Sequence, residues 1–397
     1  MYVLSIILWS LAVLTLVLAI HPFITYPLSL MLLKKLQVKR YDPFTRQRSA
    51  SGTFAICMCA YNEEQVIEAK MKNLLALRER EPSLEILVYV DAASDRTAEL
   101  LQPYANQIHL HVSAQRHGKT YGMNLLVAQA QANFIVFTDA NVMLDLAVLE
   151  KLRQHFGDRD VGCVCGNLNY INADESVTAA TGSLYWRLEE HIKSLEQETG
   201  SVMGADGSLF AIRRTLHYPP PPHIIDDMYV SFRVLCDGYR IVQAKDVKAY
   251  EKSATASHEE FQRKARIACQ AFNVHRLLWP LLLQLNPLTL YKYVSHKLLR
   301  WMSIYFLVAA AVFIELALLS MQLPRVALTL LVMAGVAWWL GQRQVKPFAQ
   351  IVDVLMSLAG AGMGVLKSLR GEQFQTWQPA TSLRDTGLNR EVIDQKV

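Results

Sequence analysis

The stretch FTDANVML, residues 137–144, sets the carboxylate of Asp139 and the amide of Asn141 two apart, behind the apolar run Phe134, Ile135, Val136 and Phe137. Side chains two apart on a strand leave the same face, so the pair would emerge together at the strand's end. Their oxygens could hold a divalent cation. They could equally end the strand by hydrogen-bonding their own backbone, and the stretch alone allows both. VDAASDRT, 90–97, puts Asp91 at a second strand end, where a carboxylate could accept hydrogen bonds from a base or ribose. Asp95 in that stretch suits a helix cap.

RHGKTYGMN, 116–124, lacks the first glycine of a Walker phosphate loop, because Ser113 stands there. It leaves Lys119 at a helix start, where a cation and free N–H groups favour phosphate, though a solvated lysine fits as well. MGADGSLFAIRR, 203–214, brackets Ala205 and Asp206 with Gly204 and Gly207, as a close backbone approach to a ligand or a tight turn would need. IIDDMYVSFRV, 224–234, brings Asp226 and Asp227 out of the proline run 219–222, and one could be a general base or both a plain helix surface. EEFQRKARIACQ, 259–270, places Arg263 and Arg266 three apart on one helix face, as a pyrophosphate clamp or a charged face beside a membrane.

The elements that must position these groups alternate between β-like and helix-like stretches from residue 53 to residue 275. Strands over 54–59, 86–90 and 108–112, with helices ending near Leu77 and covering 97–104, predict an α/β domain: a mainly parallel sheet with helices on both faces. Ligands of open α/β sheets bind past the carboxyl ends of strands, and Asn62, Asp91 and Asp139 all fall at such ends. No internal repeat divides the chain.

Hydrophobic residues make up 52% of the chain and charged ones 19%, which points to segments in lipid. Residues 2–20 carry no charge and the apolar run continues to Leu33, beyond the roughly 20 residues that a crossing needs. No basic region precedes it and no small-residue cleavage site follows, so a retained anchor is expected rather than a signal peptide. Lys34, Lys35, Lys39, Arg40, Arg46 and Arg48 come next, and positive flanks place the central domain in the cytosol. Later apolar runs at 301–323 and 326–340 suggest a tight transmembrane hairpin, and a third at 347–366 contains Asp353 and is flanked by basic residues at both ends. A net charge of +5 gives no reason to expect a nucleic-acid partner. The CxC pairs Cys57/Cys59 and Cys163/Cys165 lack a zinc knuckle's spacing and read as buried packing.

The order of these motifs resembles the membrane-associated family 2 glycosyltransferases of the GT-A fold, which include cellulose, hyaluronan and poly-N-acetylglucosamine synthases. Their Tyr-Asn-Glu turn is matched by Tyr61, Asn62 and Glu63, their Asp-Gly-Ser-Thr-Asp segment by residues 91–95, and their Gly-Lys by Gly118-Lys119 with Asn124 downstream. The DxD motif falls on Asp139-Ala140-Asn141 and the catalytic acid pair on Asp226-Asp227. The resemblance implies that Tyr61, Asn62, Glu63, Asp91, Lys119, Asp139, Arg263 and Arg266 bind a nucleotide-sugar, with Asp91 at the base. It further implies Mg²⁺ or Mn²⁺ on Asp139 and Asn141, and Asp227 as the acceptor's base with Asp226 as fallback. Gly204, Asp206, Gly207 and Trp377 would lie toward the acceptor, and Trp377 with Arg384 resembles the Trp and Arg that often follow the last membrane element in such enzymes. The processive Gln-x-x-Arg-Trp motif is altered: Gln262 is followed at +3 by Ala265, and Ile267 replaces the tryptophan.

The expected activity is inverting transfer, from a UDP-linked sugar to a hydroxyl of a lipid-linked or polysaccharide acceptor, in exopolysaccharide or envelope glycan biosynthesis. The alternatives are a polyprenol-phosphate glycosyltransferase and a non-catalytic nucleotide-binding scaffold. The expected organisation is an anchor (1–33), a basic linker (34–52), a cytosolic GT-A domain (53–275), interfacial helices (276–300), a transmembrane hairpin (301–341), a third apolar segment that crosses, re-enters or lies in the interface (342–370) and a polar tail (371–397). Its setting would be the inner (plasma) membrane, crossed several times, with other polysaccharide-assembly proteins as further partners. Exchange of Asn141 for Asp is expected to preserve transfer.

Overall fold

A computed structural model describes residues 2–36, 49–170, 177–251 and 257–376. Lys39, Arg40, Arg46, Arg48, Trp377 and Arg384 lie outside the described residues. The chain begins with helices α1 (Tyr2–Ile20) and α2 (Thr25–Leu36). Strand β1 (Phe54–Ala60) then enters the sheet, followed by α3 (Ile67–Arg80), β2 (Glu85–Asp91), α4 (Thr97–Leu101), β3 (His109–Ser113), α5 (Lys119–Gln129) and β4 (Phe134–Asp139). The second half runs β5 (Met143–Leu144), α6 (Val148–His155), β6 (Val161–Tyr170), α7 (Val177–Glu198), β7 (Leu209–Arg213), α8 (Asp226–Cys236) and β8 (Arg240–Glu251).

These strands form one sheet in the order β3-β2-β1-β4-β7-β6-β8-β5. β1 pairs parallel with β2 and β4, β2 with β3, and β6 with β8, whereas β7 and β5 run antiparallel to their neighbours. Six strands thus point the same way, so the ends of β2, β4 and β8, at Asp91, Asp139 and Glu251, share one edge. Every residue of β1 is buried, as a continuous apolar run demands when both faces are covered. Cys57 and Cys59 pack with Met123 and Leu126 on the α5 side, and Phe54, Ile56 and Met58 pack with Met71 and Leu74 on the α3 side. Cys163 and Cys165 are likewise buried in the α5-side core. The exposed edge strand β3 is the polar HLHVS.

The remaining helices are α9 (Ser257–Leu282), α10 (Pro287–Tyr293), α11 (Leu299–Ser320), α12 (Pro324–Gln342) and α13 (Phe348–Leu369). Among the described residues four helical stretches are long and apolar enough to cross a membrane: Tyr2–Ile20, Pro287–Ser320, Pro324–Gln342 and Phe348–Leu369. The stretch 276–300 is divided between the end of α9 and the start of the continuous helix 287–320. A π turn at Val294–Leu298 joins α10 to α11. α13 docks on α9, where Gly364 lies against Ala265 and Ala268, Lys264 Nζ donates to Ser357 Oγ at 2.9 Å, and Arg276 donates to the Ser368 carbonyl at 2.6 Å. Apolar helix and basic helix are therefore one packed unit.

A buried carboxylate ties that helical part to the sheet. Glu196 of α7 accepts from the Tyr26 hydroxyl at 2.6 Å and the Met203 amide at 3.0 Å, with His296 Nδ1 of the π turn 2.6 Å away. The segment that leads to Gly204 is thus anchored to the first helices of the chain.

Candidate functional site

The site lies where β1, β2 and β4 end. The turn after β1 and the turn after β2 are stitched together by their own side chains. Asn62 Oδ1 accepts from the Ser94 amide at 2.8 Å, the Glu63 amide donates to Thr97 Oγ1 at 2.7 Å, and the Glu64 amide donates to Asp95 Oδ2 at 3.0 Å. Asp95 also accepts from the Thr97 amide at 2.9 Å, but Arg96 rather than Asp95 stands at the N-cap of α4, so Asp95 braces the turn one residue before the cap. Tyr61 carries the Arg116 guanidinium 3.4 Å above its ring.

Asp91 is fully buried. It accepts from the His117 amide at 2.7 Å, the Gly118 amide at 3.1 Å, Arg116 Nε at 3.2 Å and the Tyr89 hydroxyl at 3.3 Å. In this geometry its oxygens hold the 116–118 loop. Gln375, from the segment after α13, lies on the same loop: its Nε2 donates to the His117 carbonyl at 2.9 Å and its backbone carbonyl abuts Gly118.

Lys119 opens α5 and points across the site. Its Nζ lies 2.7 Å from Asp139 Oδ1 and 3.9 Å from Asp226 Oδ2. Burial alone would lower the ammonium's pKa, but Asp139 and Asp226 outweigh it and hold the group charged. The same helix anchors the loop that delivers the acid pair, through Thr120 Oγ1 to the Ile224 carbonyl at 2.7 Å and Asn124 Nδ2 to the Pro220 carbonyl at 2.8 Å. Asp226 and Asp227 then open α8, Asp226 almost fully buried. Burial, reinforced by Asp226, pushes the Asp227 carboxyl up to about 7. Asp227 Oδ1 accepts from the Met228 amide at 2.6 Å. Its Oδ2 faces Gly207 so closely that a Cβ there would sit 2.8 Å away, which explains the glycine. Gly204 lies over the Phe232 ring, and the Ala205 amide donates to Ser231 Oγ at 3.0 Å, so α8 holds this segment from below.

The β4–β5 turn is supported from α3. Lys70, fully buried, donates to the Val142 carbonyl and to Thr138 Oγ1, and Asn73 exchanges two hydrogen bonds with the Leu144 backbone. Burial lowers the Lys70 ammonium to about 7 against the pull of Asp139. Asn141 Nδ2 donates to Glu251 Oε1 at 2.8 Å. Burial and the proximity of Asp139 push Glu251 up to about 7. Exchange of Asn141 for Asp would set a second carboxyl group against Glu251. Arg263 is exposed on α9 and close enough to stabilise the charged form of Glu251. Arg266 is half-buried, with its pKa lowered by burial and by Arg263.

The oxygens of Asp139 and Asn141 are hard donors suited to Mg²⁺ or Mn²⁺. Among the described residues no three His, Cys, Asp or Glu side chains could hold a metal ion together, so a cation here would be shared with ligand oxygens. Mg²⁺ commonly binds this way, through one or two carboxylates plus phosphates. Sequence reasoning reached Lys119, Asp139 and the acid pair but missed Lys70, Arg116, Glu251 and Gln375. Glu251 was open to the strand-end rule that found Asp139. The other three carry no such signal.

The description "Glycosyl transferase family 2" matches residues 55–218. Poly-beta-1,6-N-acetyl-D-glucosamine synthase of Staphylococcus aureus is 27% identical over 191 residues, 46% of this chain and 46% of that protein. O-antigen chain rhamnosyltransferase WbaN of Salmonella anatum is 26% identical over 191 residues, 45% of this chain and 59% of its own. The matched region thus spans about half the length of these curated relatives. Among solved structures, the mannosyltransferase PcManGT from Pyrobaculum calidifontis, in complex with GDP-Man and Mn²⁺, superposes with a TM-score of 0.69 at 18% identity, covering 92% of this chain and 99% of that one. That likeness establishes the shared GT-A fold.

Proposed function

We propose, from the match of residues 55–218 to glycosyl transferase family 2, that the protein transfers a sugar, with inversion, from a nucleotide-sugar to an acceptor hydroxyl at the cytosolic face of the inner membrane. The observation that carries this reading is the Lys119 ammonium, set between Asp139 at 2.7 Å and Asp226 at 3.9 Å. In this reading Lys119 is the phosphate-binding cation, set between the proposed metal-binding turn and the first acid of the pair. Asp227 is the base that takes the acceptor's proton. A group titrating near 7 can be unprotonated before the attack and still accept a proton during it.

Asp139 and Asn141 would hold Mg²⁺ or Mn²⁺, which neutralises charge on the departing diphosphate. Lys119 orients the phosphates, with Arg263 and Arg266 at the rim. Asp91 serves the nucleoside through the loop it holds, where the Arg116–Tyr61 stack offers a flat surface to a base. UDP is the proposed nucleotide. Gly204, Asp206 and Gly207 line the way to the acceptor beside Asp227, and Trp377 is proposed there on resemblance alone. The acceptor is a lipid-linked or growing glycan, and the product is an exopolysaccharide or envelope glycan, assembled with other membrane proteins. Four membrane-length helices and the docking of α13 on α9 support work at the bilayer surface.

The test is to supply membranes containing the protein with radiolabelled nucleotide-sugars one at a time, then to separate lipid and polymer fractions. Label should pass from one donor to one of those fractions, with release of nucleotide. If no donor yields nucleotide release, the reading falls and the non-catalytic scaffold returns.

A further inference from the structure

A turn that binds a divalent cation with a diphosphate is strongest with two carboxylates, and this chain offers one carboxylate and one amide. The single charge of Asp139 is also matched by Lys119 at 2.7 Å, so the turn alone contributes little net negative charge. The missing charge stands 110 residues away in sequence. β5 and β8 pair antiparallel with Met143 opposite Tyr250, which brings Glu251 alongside Asn141. The 2.8 Å hydrogen bond from Asn141 Nδ2 to Glu251 Oε1 then turns the amide oxygen of Asn141 away from Glu251.

Resting on the diphosphate-site reading above, we propose that Asn141 and Glu251 act together as one divided carboxylate: with the cation bound, Glu251 supplies the second negative charge of the site and aims the Asn141 carbonyl oxygen at the cation. Glu251 is a positioning residue, acting through Asn141. The arrangement makes a specific demand, because the charge can be moved within the pair but not removed from it. A carboxylate at 141 with an amide at 251 keeps the pair's charge and one hydrogen bond.

The experiment measures Mn²⁺ affinity in the presence of UDP by electron paramagnetic resonance, on the purified full chain in detergent, with no turnover needed. Glu251→Gln should weaken Mn²⁺ binding by about 10- to 100-fold, the usual effect of removing a group that orients a metal ligand. The double variant N141D/E251Q should recover most of that loss. Unchanged affinity in Glu251→Gln overturns the proposal, as does a double variant no better than the single one. Asp139→Ala separates the two readings. If it too leaves Mn²⁺ affinity unchanged, the cation site itself is misplaced. If it abolishes binding while Glu251→Gln does not, only the role of Glu251 falls. Glu251→Gln is near-isosteric and a thermal melt checks its fold. If it unfolds, the double variant alone decides: wild-type-like Mn²⁺ affinity upholds the pair and weak affinity refutes it.

Discussion

Asp91 and Asp139 look alike in the sequence, each an acid closing an apolar strand, and in the structure they do opposite things. Asp91 is fully buried and spent on two backbone amides, a guanidinium and a hydroxyl. Asp139 is partly open and meets one lysine ammonium. What separates them is the neighbouring loop. After β3 the chain folds back across the end of β2 and offers its amides to Asp91, whereas the β4–β5 turn is held from beneath by Lys70 and Asn73, which leaves Asp139 facing outward. A strand-end carboxylate meets a ligand only where no backbone donor reaches it first.

The largest effect that can break this contrast is at Asp139. Asp139→Ala should weaken Mn²⁺-dependent UDP binding by 100-fold or more (on the order of 3 kcal/mol, as for loss of a charged, hydrogen-bonded partner) while the melting temperature does not fall. Asp91→Ala should do the reverse first: buried amides without acceptors cost on the order of 3 kcal/mol, read as a lower melting temperature. If the Asp91 variant melts normally and only loses UDP binding, the two acids are alike after all. Gly207→Ala should cost about tenfold in kcat with little change in donor KM, because the new methyl pushes on Asp227 Oδ2 and not on the donor. The smallest effect is at Tyr61, where loss of the stack under Arg116 should weaken UDP binding by about 1 kcal/mol, as isothermal titration would register.

A separate pH dependence comes from the acid pair that opens α8. Asp227 is raised from 3.8 to about 7, so between those values the folded chain binds the extra proton. Its contribution to stability is complete below about pH 4 and is lost as pH rises through about 7. Its use as a base runs the other way, so the rate should climb over the same interval.

Much of the sheet was legible because its signals are local: apolar runs of strand length, with acids at their ends, place β1, β2, β4, Asp91 and Asp139 directly. Lys119 was legible for the same reason, as the first residue of a helix after a glycine. What was not legible depends on pairing between distant segments. Glu251 can be picked out as a strand-end acid, but its place beside Asn141 comes only from the β5–β8 pairing. The burial of Asp91 likewise needs a loop whose amides lie 26 and 27 residues further on. Gln375 comes from beyond the last apolar helix, and no period or motif ties it to His117.

The central claim is that Asp227 removes the acceptor's proton while the Asp139 turn and Lys119 hold the donor. Its most direct test is the pH profile of single-turnover transfer, wild type against Asp227→Asn, with donor binding measured on the same samples. The wild-type rate should rise to a plateau above about pH 7. The variant should bind donor normally and transfer about 10²- to 10⁴-fold more slowly, without that rise. Near-normal transfer by Asp227→Asn, with the pH dependence intact, would contradict the account.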